Sequence, residues 1–292
     1  MSILSSKRIK ELVAELGISP QKTLGQNFLI DENILQKIIS VAELTDKDTI
    51  LEIGPGLGIL TKELAVRAGK VIAIEKDKKL VHYLQSAMKS PPRQDPAFSA
   101  LNFKEAAGQY NNITIVEEDF LKIDLSKLGL GKSYKIVANL PYSITSDAIR
   151  KIMESDPAPS AAVLMVQKEV AERICAKPGD MSLLALSVQY YGVPSLMFQV
   201  SRGSFWPVPK VDSAVIKILI DKKRDLKVAE DFFRIARIGF SSPRKQLQNN
   251  LSSGLHTSKE KTIELLNRAK INPKARPEEL GVGDWERLAQ MD

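Results

Sequence analysis

The segment Asn139-Leu140-Pro141-Tyr142 places an amide, a main-chain carbonyl and an aromatic ring directly after an apolar run. Proline has no N–H and cannot continue a central strand, so Pro141 must end a strand and bias Leu140 toward an extended conformation. In open α/β sheets, this carboxyl edge is where ligands bind. The segment therefore predicts a binding turn, although an isolated motif of this kind is also compatible with a simple structural turn.

A glycine loop precedes it in the segment Leu51–Leu60, which contains Gly54, Gly56 and Gly58. Residues without a Cβ let the chain turn tightly and let a ligand approach the start of the following helix. The spacing is G-x-G-x-G, whereas dinucleotide binders use G-x-G-x-x-G, and Glu52 lies inside the motif. These features argue against NAD as the ligand.

Acidic residues follow at the ends of the next two predicted strands. Glu75 stands 17 residues beyond Gly58, where a carboxylate can accept hydrogen bonds from both hydroxyls of a ribose. Asp119 follows the third strand and could accept from the amino group of an adenine. Each acid alone is more typical of a surface carboxylate or a helix cap. Their order at the ends of successive strands predicts one shared ligand site.

The elements that must position these residues alternate between β-branched runs and helical patterns, which is typical of a parallel sheet covered by helices. The seven predicted strands are residues 49–53, 71–75, 113–117, 135–139, 162–166, 195–201 and 213–220, with the last two forming a hairpin-like pair. Helical patterns replace the strands after Asp221, and one of them begins at Arg244. We predict a catalytic domain at residues 1–222 and a small all-α domain at residues 223–292, with a peripheral excursion from Ser90 to Asn112.

Charge is concentrated in one part of the chain. The 292 residues carry a formal net charge of +7, and Lys222 to Arg276 contain 14 Lys and Arg against 5 Asp and Glu. This excess favours a polyanionic partner, nucleic acid before membrane, although a solvated basic face without a partner is the alternative.

Composition narrows the class of protein further. The chain is 43% hydrophobic without a long apolar run or a signal-peptide pattern, so we expect a globular, cytoplasmic protein. One cysteine excludes an internal disulfide, and two separated histidines offer no metal-ligand spacing. We expect no metal, no membrane partner and a monomer.

Seven motifs, read in order, resemble the ribosomal RNA adenine N6-dimethyltransferases, which use S-adenosylmethionine. The motifs are Gln26–Leu29, Glu52–Gly58, Ile74–Asp77, Glu118–Phe120, Asn139–Tyr142, Gln167–Arg173 and Phe205–Ser213. The N-L-P-Y and P-K-V-D-S forms are most similar to the branch that dimethylates two adjacent adenines in a hairpin loop near the 3′ end of 16S rRNA. The resemblance implies a Rossmann-like, seven-stranded methyltransferase sheet and, as partner, 16S rRNA in the small subunit or its precursor.

The resemblance also implies roles for individual residues. The contacts to S-adenosylmethionine would come from Asn27, Leu29, Gly54, Glu75, Asp119 and Asn139. In the reaction, Asn139 and the Leu140 carbonyl would accept the hydrogens of the adenine amino group, and Pro141 would fix the turn. Tyr142 and Phe205 would hold the extruded base between them.

The sequence departs from the family pattern at three places. Leu183-Leu184 stands where the family usually has Tyr-Gly, Pro243 replaces an arginine in F-x-x-R-R-K, and the excursion from Ser90 is long. The missing Tyr-Gly keeps open the alternative of a small-subunit assembly factor with reduced catalysis. Two further alternatives are a 23S rRNA adenine dimethyltransferase and a DNA adenine methyltransferase, for which N-P-P-Y or D-P-P-Y would be more typical.

Overall fold

The structure is a computed structural model, and it describes residues 6–17, 26–89, 110–131, 133–221 and 226–291. Of the predicted excursion from Ser90 to Asn112, all but the last three residues lie outside the described ranges.

Seven strands form one mixed sheet, as predicted. The sheet consists of β2 (Thr49–Ile53), β3 (Lys70–Glu75), β4 (Ile113–Glu117), β5 (Lys135–Asn139), β6 (Ala161–Gln167), β7 (Gly192–Val200) and β9 (Ser213–Ile220), in the order β4-β3-β2-β5-β6-β9-β7. The neighbours β9 and β7 confirm the predicted pairing of the last two strands. The predicted α/β methyltransferase fold is confirmed.

Parallel pairing joins the first five of these strands along the chain. Leu51 lies opposite Ile72 of β3 on one side and Ile136 of β5 on the other. β6 continues the parallel set, β9 pairs antiparallel with β6, and β7 lies beyond β9 at the edge of the sheet. Most side chains of β2, β3, β5 and β6 are buried because these strands are covered on both faces, which explains their continuous apolar runs. The edge strand β4 has no buried side chain. Parallel pairing also brings the ends of β2, β3, β4 and β5 to one edge.

A second, two-stranded sheet was not predicted. It pairs β1 (Phe28–Leu29) with β8 (Phe205–Trp206), so that Phe28 lies opposite Trp206 and Leu29 opposite Phe205. The Ile30 N–H extends the pairing by donating to the Ser204 carbonyl at 2.9 Å. Strands of two residues are too short to show the alternation from which a strand is recognised.

Helices connect and follow the strands. The helices are α1 (Ser6–Glu15), α2 (Glu32–Ala42), α3 (Ile59–Arg67), α4 (Lys78–Lys89), α5 (Thr145–Met153), α6 (Lys168–Ile174), α7 (Leu183–Gln189), α8 (Leu226–Gly239), α9 (Leu247–Gly254), α10 (Lys259–Arg268) and α11 (Val282–Ala289). Short 3₁₀ turns cover residues 125–128, 142–144, 202–204 and 277–279. None of the helices within the described ranges has the length and apolar character needed to span a bilayer.

The chain divides into two compact units. The first comprises residues 1–171 and 195–220, and the second comprises residues 172–194 and 221–292. A single boundary near residue 222 was predicted from the sequence, whereas the second unit also takes in residues 172–194. The assignment of a catalytic and an RNA-binding role to the two domains stays a prediction.

The second unit has its own aromatic core. The Tyr190 ring packs 4.3 Å from the Phe232 ring, and the Phe240 ring stacks 5.5 Å from the Trp285 ring, measured between centroids. Between residues 226 and 291, the described chain contains only helices and turns.

One helix boundary in this unit was predicted wrongly. The helix predicted to begin at Arg244 begins at Leu247, because residues 241–245 form a turn. The Asn250 amide stabilises this turn by donating to the carbonyls of Gly239 and Ser242, at 2.6 and 3.0 Å.

Candidate active site

The turn after β5 is held by hydrogen bonds on both sides of Pro141. The Leu140 N–H donates to the Met165 carbonyl of β6 at 3.1 Å, which continues the sheet by one residue. Pro141 has φ −58° and ψ 131°, and its carbonyl accepts from the Thr145 hydroxyl and from the Ile144 N–H, each at 3.1 Å. The strand therefore ends where the proline requires it to end.

The Asn139 side chain has a defined orientation at this edge. Its Nδ2 donates to the main-chain carbonyl of Asn27 at 3.2 Å. A primary amide has one donor group and one acceptor oxygen, so this bond leaves Oδ1 as the acceptor of the side chain. Asn139 lines a cavity, and its amide is therefore suited to accept a hydrogen from a ligand.

Tyr142 follows on the 3₁₀ turn and lines the same cavity with a half-buried side chain. Its hydroxyl shares a hydrogen bond of 2.6 Å with the Ser213 hydroxyl. Burial raises the pKa of Tyr142, and the bond to Ser213 offsets part of that increase. The ring is therefore a neutral, anchored aromatic surface.

The glycine loop adopts a left-handed backbone at three positions, where φ is 66° at Gly54, 58° at Gly56 and 74° at Gly58. A side chain at Gly56 would bring its Cβ to 3.2 Å from the Phe28 ring. The loop therefore requires glycine both for its backbone conformation and to keep the space beside Phe28 open.

Glu75, at the end of β3, is 7% exposed and is held by main-chain N–H groups. It accepts from Lys76 and Asp77 at 2.9 Å each through Oε1, and from Gly56 at 3.2 Å through Oε2. Burial raises the pKa of this carboxyl, and the three N–H donors counteract the increase. These bonds fix the carboxylate beside the glycine loop.

Asp119 lies past the end of β4, at the same edge. Its Oδ2 is 2.8 Å from the Lys76 Nζ, and its Oδ1 accepts from the Leu121 N–H at 3.0 Å. The hydrogen bond from Lys76 is the main reason that its pKa lies below the ordinary value. Asp119 is therefore an ionised acceptor whose Oδ2 is paired with a mostly exposed lysine.

A cavity of about 400 Å³ joins these groups. Its lining includes the predicted residues Asn27, Leu29, Gly54, Glu75, Asp119, Asn139, Leu140, Pro141 and Tyr142. The structure thus brings together nine of the ten predicted site residues around one space.

Phe205 is the predicted site residue that does not line this cavity. Its side chain is 1% exposed and packs in the core, while its β8 backbone pairs with Leu29, which does line the cavity. The role of Phe205 as a stacking surface stays a prediction.

Glu52 lines the cavity and was not predicted as a site residue. It is 1% exposed, and within the described residues its Oε2 has no hydrogen-bond partner. Burial, assisted by the nearby charge of Glu75, raises its pKa to about 8, and the Thr61 hydroxyl counteracts part of this. The signal in the sequence was a charged residue inside an otherwise apolar strand, directly before the glycine loop.

Basic side chains lie on the surface of the second unit. Arg237, Arg244 and Lys245 are exposed, whereas Leu183 and Leu184 are half-buried in the first turn of α7. The basic side chains are thus accessible to a partner.

Comparisons with known proteins agree with this architecture. A model of the ribosomal RNA adenine dimethylase family matches residues 18–291. The "Ribosomal RNA small subunit methyltransferase A" of Dehalococcoides mccartyi is 44% identical over 282 residues, which are 96% of this chain and 90% of that protein. A dimethyladenosine transferase from Plasmodium falciparum has a TM-score of 0.73 at 28% identity, with 89% of this chain and 95% of that chain covered. The 23S rRNA methyltransferase ErmE has a TM-score of 0.68 at 26% identity, with 91% and 99% covered.

Proposed function

Because the chain belongs to the ribosomal RNA adenine dimethylase family, we propose that it dimethylates N6 of two adjacent adenines in a hairpin loop near the 3′ end of 16S rRNA. The proposed methyl donor is S-adenosylmethionine, which methyltransferases of this type use. The proposed partner is the small ribosomal subunit or its precursor, and the proposed setting is the cytoplasm.

The observation that carries this proposal is the fixed amide of Asn139 beside the extended Leu140-Pro141 turn. The amino nitrogen of adenine is a poor nucleophile because its lone pair is delocalised into the ring. If Asn139 Oδ1 and the Leu140 carbonyl accept its two hydrogens, the nitrogen can become more tetrahedral and direct its lone pair toward the methyl group. The site thus acts by orientation and preorganised acceptors.

The residues of the cavity suit the methyl donor. Glu75 would accept from the ribose hydroxyls and Asp119 from the adenine amino group, and Asn27, Leu29 and Gly54 complete the surrounding wall. The Oε2 of buried Glu52 has no hydrogen-bond partner among the described residues, and a positively charged ligand beside it would favour the ionised form of a carboxyl whose pKa is otherwise raised to about 8. When bound, S-adenosylmethionine supplies an electrophilic methyl group.

No side chain is needed as a strong base in this proposal. An alkylated adenine nitrogen is acidic and can lose its proton readily, so Asn139 needs only to accept a hydrogen bond. Tyr142 would provide one face for the extruded base, and Phe205 is proposed for the other. An adenine in a hairpin loop is easier to extrude than one in a duplex.

Methyl transfer from labelled S-adenosylmethionine tests the proposal directly. The acceptors would be small subunits lacking the modification, naked 16S rRNA and 23S rRNA, and the methylated bases would be mapped. We expect label in two adjacent adenines of the small-subunit hairpin.

Two other outcomes would replace the proposal. Label in 23S rRNA would favour the second candidate, a 23S rRNA enzyme, for which the likeness to ErmE is the supporting observation. Cofactor and subunit binding without any label would favour an assembly factor with reduced catalysis.

A further inference from the structure

The hydrogen bond between Tyr142 and Ser213 joins the wall of the cavity to the interior of the sheet. The two oxygens are 2.6 Å apart, and the residues are 71 positions apart in the sequence. Ser213 is fully buried at 0% exposure, whereas Tyr142 is half-buried and lines the cavity. The bond therefore fixes the outer end of a ring that faces the site.

The serine end of this bond is rigidly placed. Ser213 is the first residue of β9 and lies opposite Gln167, the last residue of β6. The preceding Asp212 accepts from the Arg202 N–H at 2.9 Å through Oδ1, and its carbonyl accepts from the Lys168 N–H at 3.0 Å. Ser213 is thus anchored by a strand pairing and by two adjacent main-chain donors.

The tyrosine end lies on a fixed turn. The Pro141 carbonyl, in the peptide bond that precedes Tyr142, accepts hydrogen bonds from Thr145 and Ile144. A tyrosine side chain has two rotatable bonds before its ring, and a bond at the hydroxyl restricts both. Without that bond, the ring would be free to change the direction in which its face points.

We propose that Ser213 is a positioning residue for the target adenine: its hydroxyl holds the Tyr142 ring in the orientation on which the extruded base stacks. This inference rests on the proposed function, since it assigns the base to the Tyr142 face. Ser213 would thus contribute to the reaction through Tyr142, without touching the base or the methyl donor.

The kinetic test uses Ser213→Ala, Tyr142→Phe and the double variant on small subunits lacking the modification. Each single change removes the same hydrogen bond, and Tyr142→Phe keeps the stacking face. We expect each to lower kcat/KM about tenfold while the dissociation constant for S-adenosylmethionine is unchanged, because misorientation of a reacting group is costly. The double variant should be no slower than either single variant.

Matched control variants come from the opposite end of the same strands. The Tyr134 hydroxyl donates to the Pro157 carbonyl at 3.0 Å, and the Ser160 hydroxyl donates to the Tyr134 carbonyl at 3.0 Å. Tyr134→Phe and Ser160→Ala therefore remove equivalent bonds away from the cavity. These controls should lower the melting temperature and leave methylation by the folded enzyme unchanged.

A second measurement is independent of catalysis. In protein labelled with 3-fluorotyrosine, the ¹⁹F signal of Tyr142 is the one of six that is lost in Tyr142→Phe. We expect Ser213→Ala to move or broaden that signal, and Ser160→Ala to leave it unchanged.

Three results would overturn the inference: an unchanged Tyr142 signal in Ser213→Ala, unchanged kinetics of that variant, or losses that multiply in the double variant. If the unsubstituted protein methylated neither rRNA, the proposed function itself would fail. The fluorine measurement would still decide whether Ser213 orients the ring.

Discussion

Asn139 is the residue on which the proposed chemistry most depends, because its amide is oriented by the Asn27 carbonyl and its oxygen is the acceptor. We expect Asn139→Ala to lower single-turnover methylation by about 10²–10³-fold, the usual cost of removing one preorganised hydrogen-bonding group. Binding to small-subunit RNA should stay close to normal. Asn33→Ala, an exposed change on α2, is the control, and normal turnover in Asn139→Ala would refute the assigned role.

Glu52 gives a prediction about stability and pH. Its pKa is about 8 in the folded protein, above its ordinary value of 4.5, so the folded state binds a proton more tightly than the unfolded state. The stabilisation linked to this proton is complete below about pH 4.5 and is lost as the pH rises toward 8. Each tenfold difference in proton affinity between the folded and unfolded states changes the free energy of unfolding by about 1.4 kcal/mol.

Replacing Glu52 by Gln should remove this dependence. In urea unfolding without added S-adenosylmethionine, we expect Glu52→Gln to gain in stability relative to the unsubstituted protein between pH 5 and pH 8, by about 1 kcal/mol or more. Glu169→Gln, at an exposed position of α6, should show no such gain. An identical pH profile for Glu52→Gln would mean that Glu52 is ionised in the fold.

At the scale of elements, most of the sheet could be predicted because its central strands are buried on both faces. The runs ending at Ile53, Glu75 and Asn139 read as apolar and β-branched, and they end at glycine, charge or proline. Their order at one edge also predicted which acids would meet. The pairing of β1 with β8 could not be predicted, because it joins two-residue strands far apart in sequence.

The glycine loop offers a test of an element's geometry. A Cβ at Gly58 would lie 2.6 Å from Leu84 Cδ2 and 2.8 Å from Met88 Cε, both buried on α4, and its φ is 74°. We expect Gly58→Ala to lower the free energy of unfolding by about 2–4 kcal/mol, from backbone strain and overpacking together. It should also weaken binding of S-adenosylmethionine.

Gly131→Ala separates the two causes, since Gly131 has a similar φ of 73° and a Cβ there would meet nothing within 4 Å. It should cost only the strain, about 1–2 kcal/mol. Equal losses in the two variants, measured by urea unfolding, would show that packing against α4 contributes nothing.

At the scale of the whole molecule, the division of the chain into two units was harder to predict from the sequence than the position of its basic charge. Residues 172–194 run from α6 to the first residues of β7 in sequence yet belong to the second unit, where Tyr190 and Tyr191 pack against Phe232 and Phe233. No local pattern in the sequence shows that two aromatic pairs about 40 residues apart will meet. The basic region, Lys222 to Arg276, could be predicted without knowing which residues are in contact, because net charge can be counted directly from the sequence.

That charge predicts how RNA binding should respond to salt. Each phosphate contact releases counterions, so the logarithm of the binding constant falls linearly with the logarithm of salt concentration, by about 0.7–0.9 per contact. Exposed Arg244 and Lys245 are the side chains that we expect to make two such contacts. Reversing both charges should weaken binding to small-subunit RNA and reduce the slope by about 1.4–1.8, while binding of S-adenosylmethionine stays unchanged.

A control with the same change in net charge distinguishes local contacts from overall attraction. Lys47 and Lys127 are exposed in the first unit, so Lys47→Glu with Lys127→Glu alters the total charge equally. If Arg244 and Lys245 contact phosphates, their reversal must reduce the salt slope more than the control does, because only bound phosphates release their counterions. Equal slopes in the two double variants would mean that Arg244 and Lys245 attract RNA only through the overall charge of the protein. The residues that contact phosphates would then lie elsewhere on the chain.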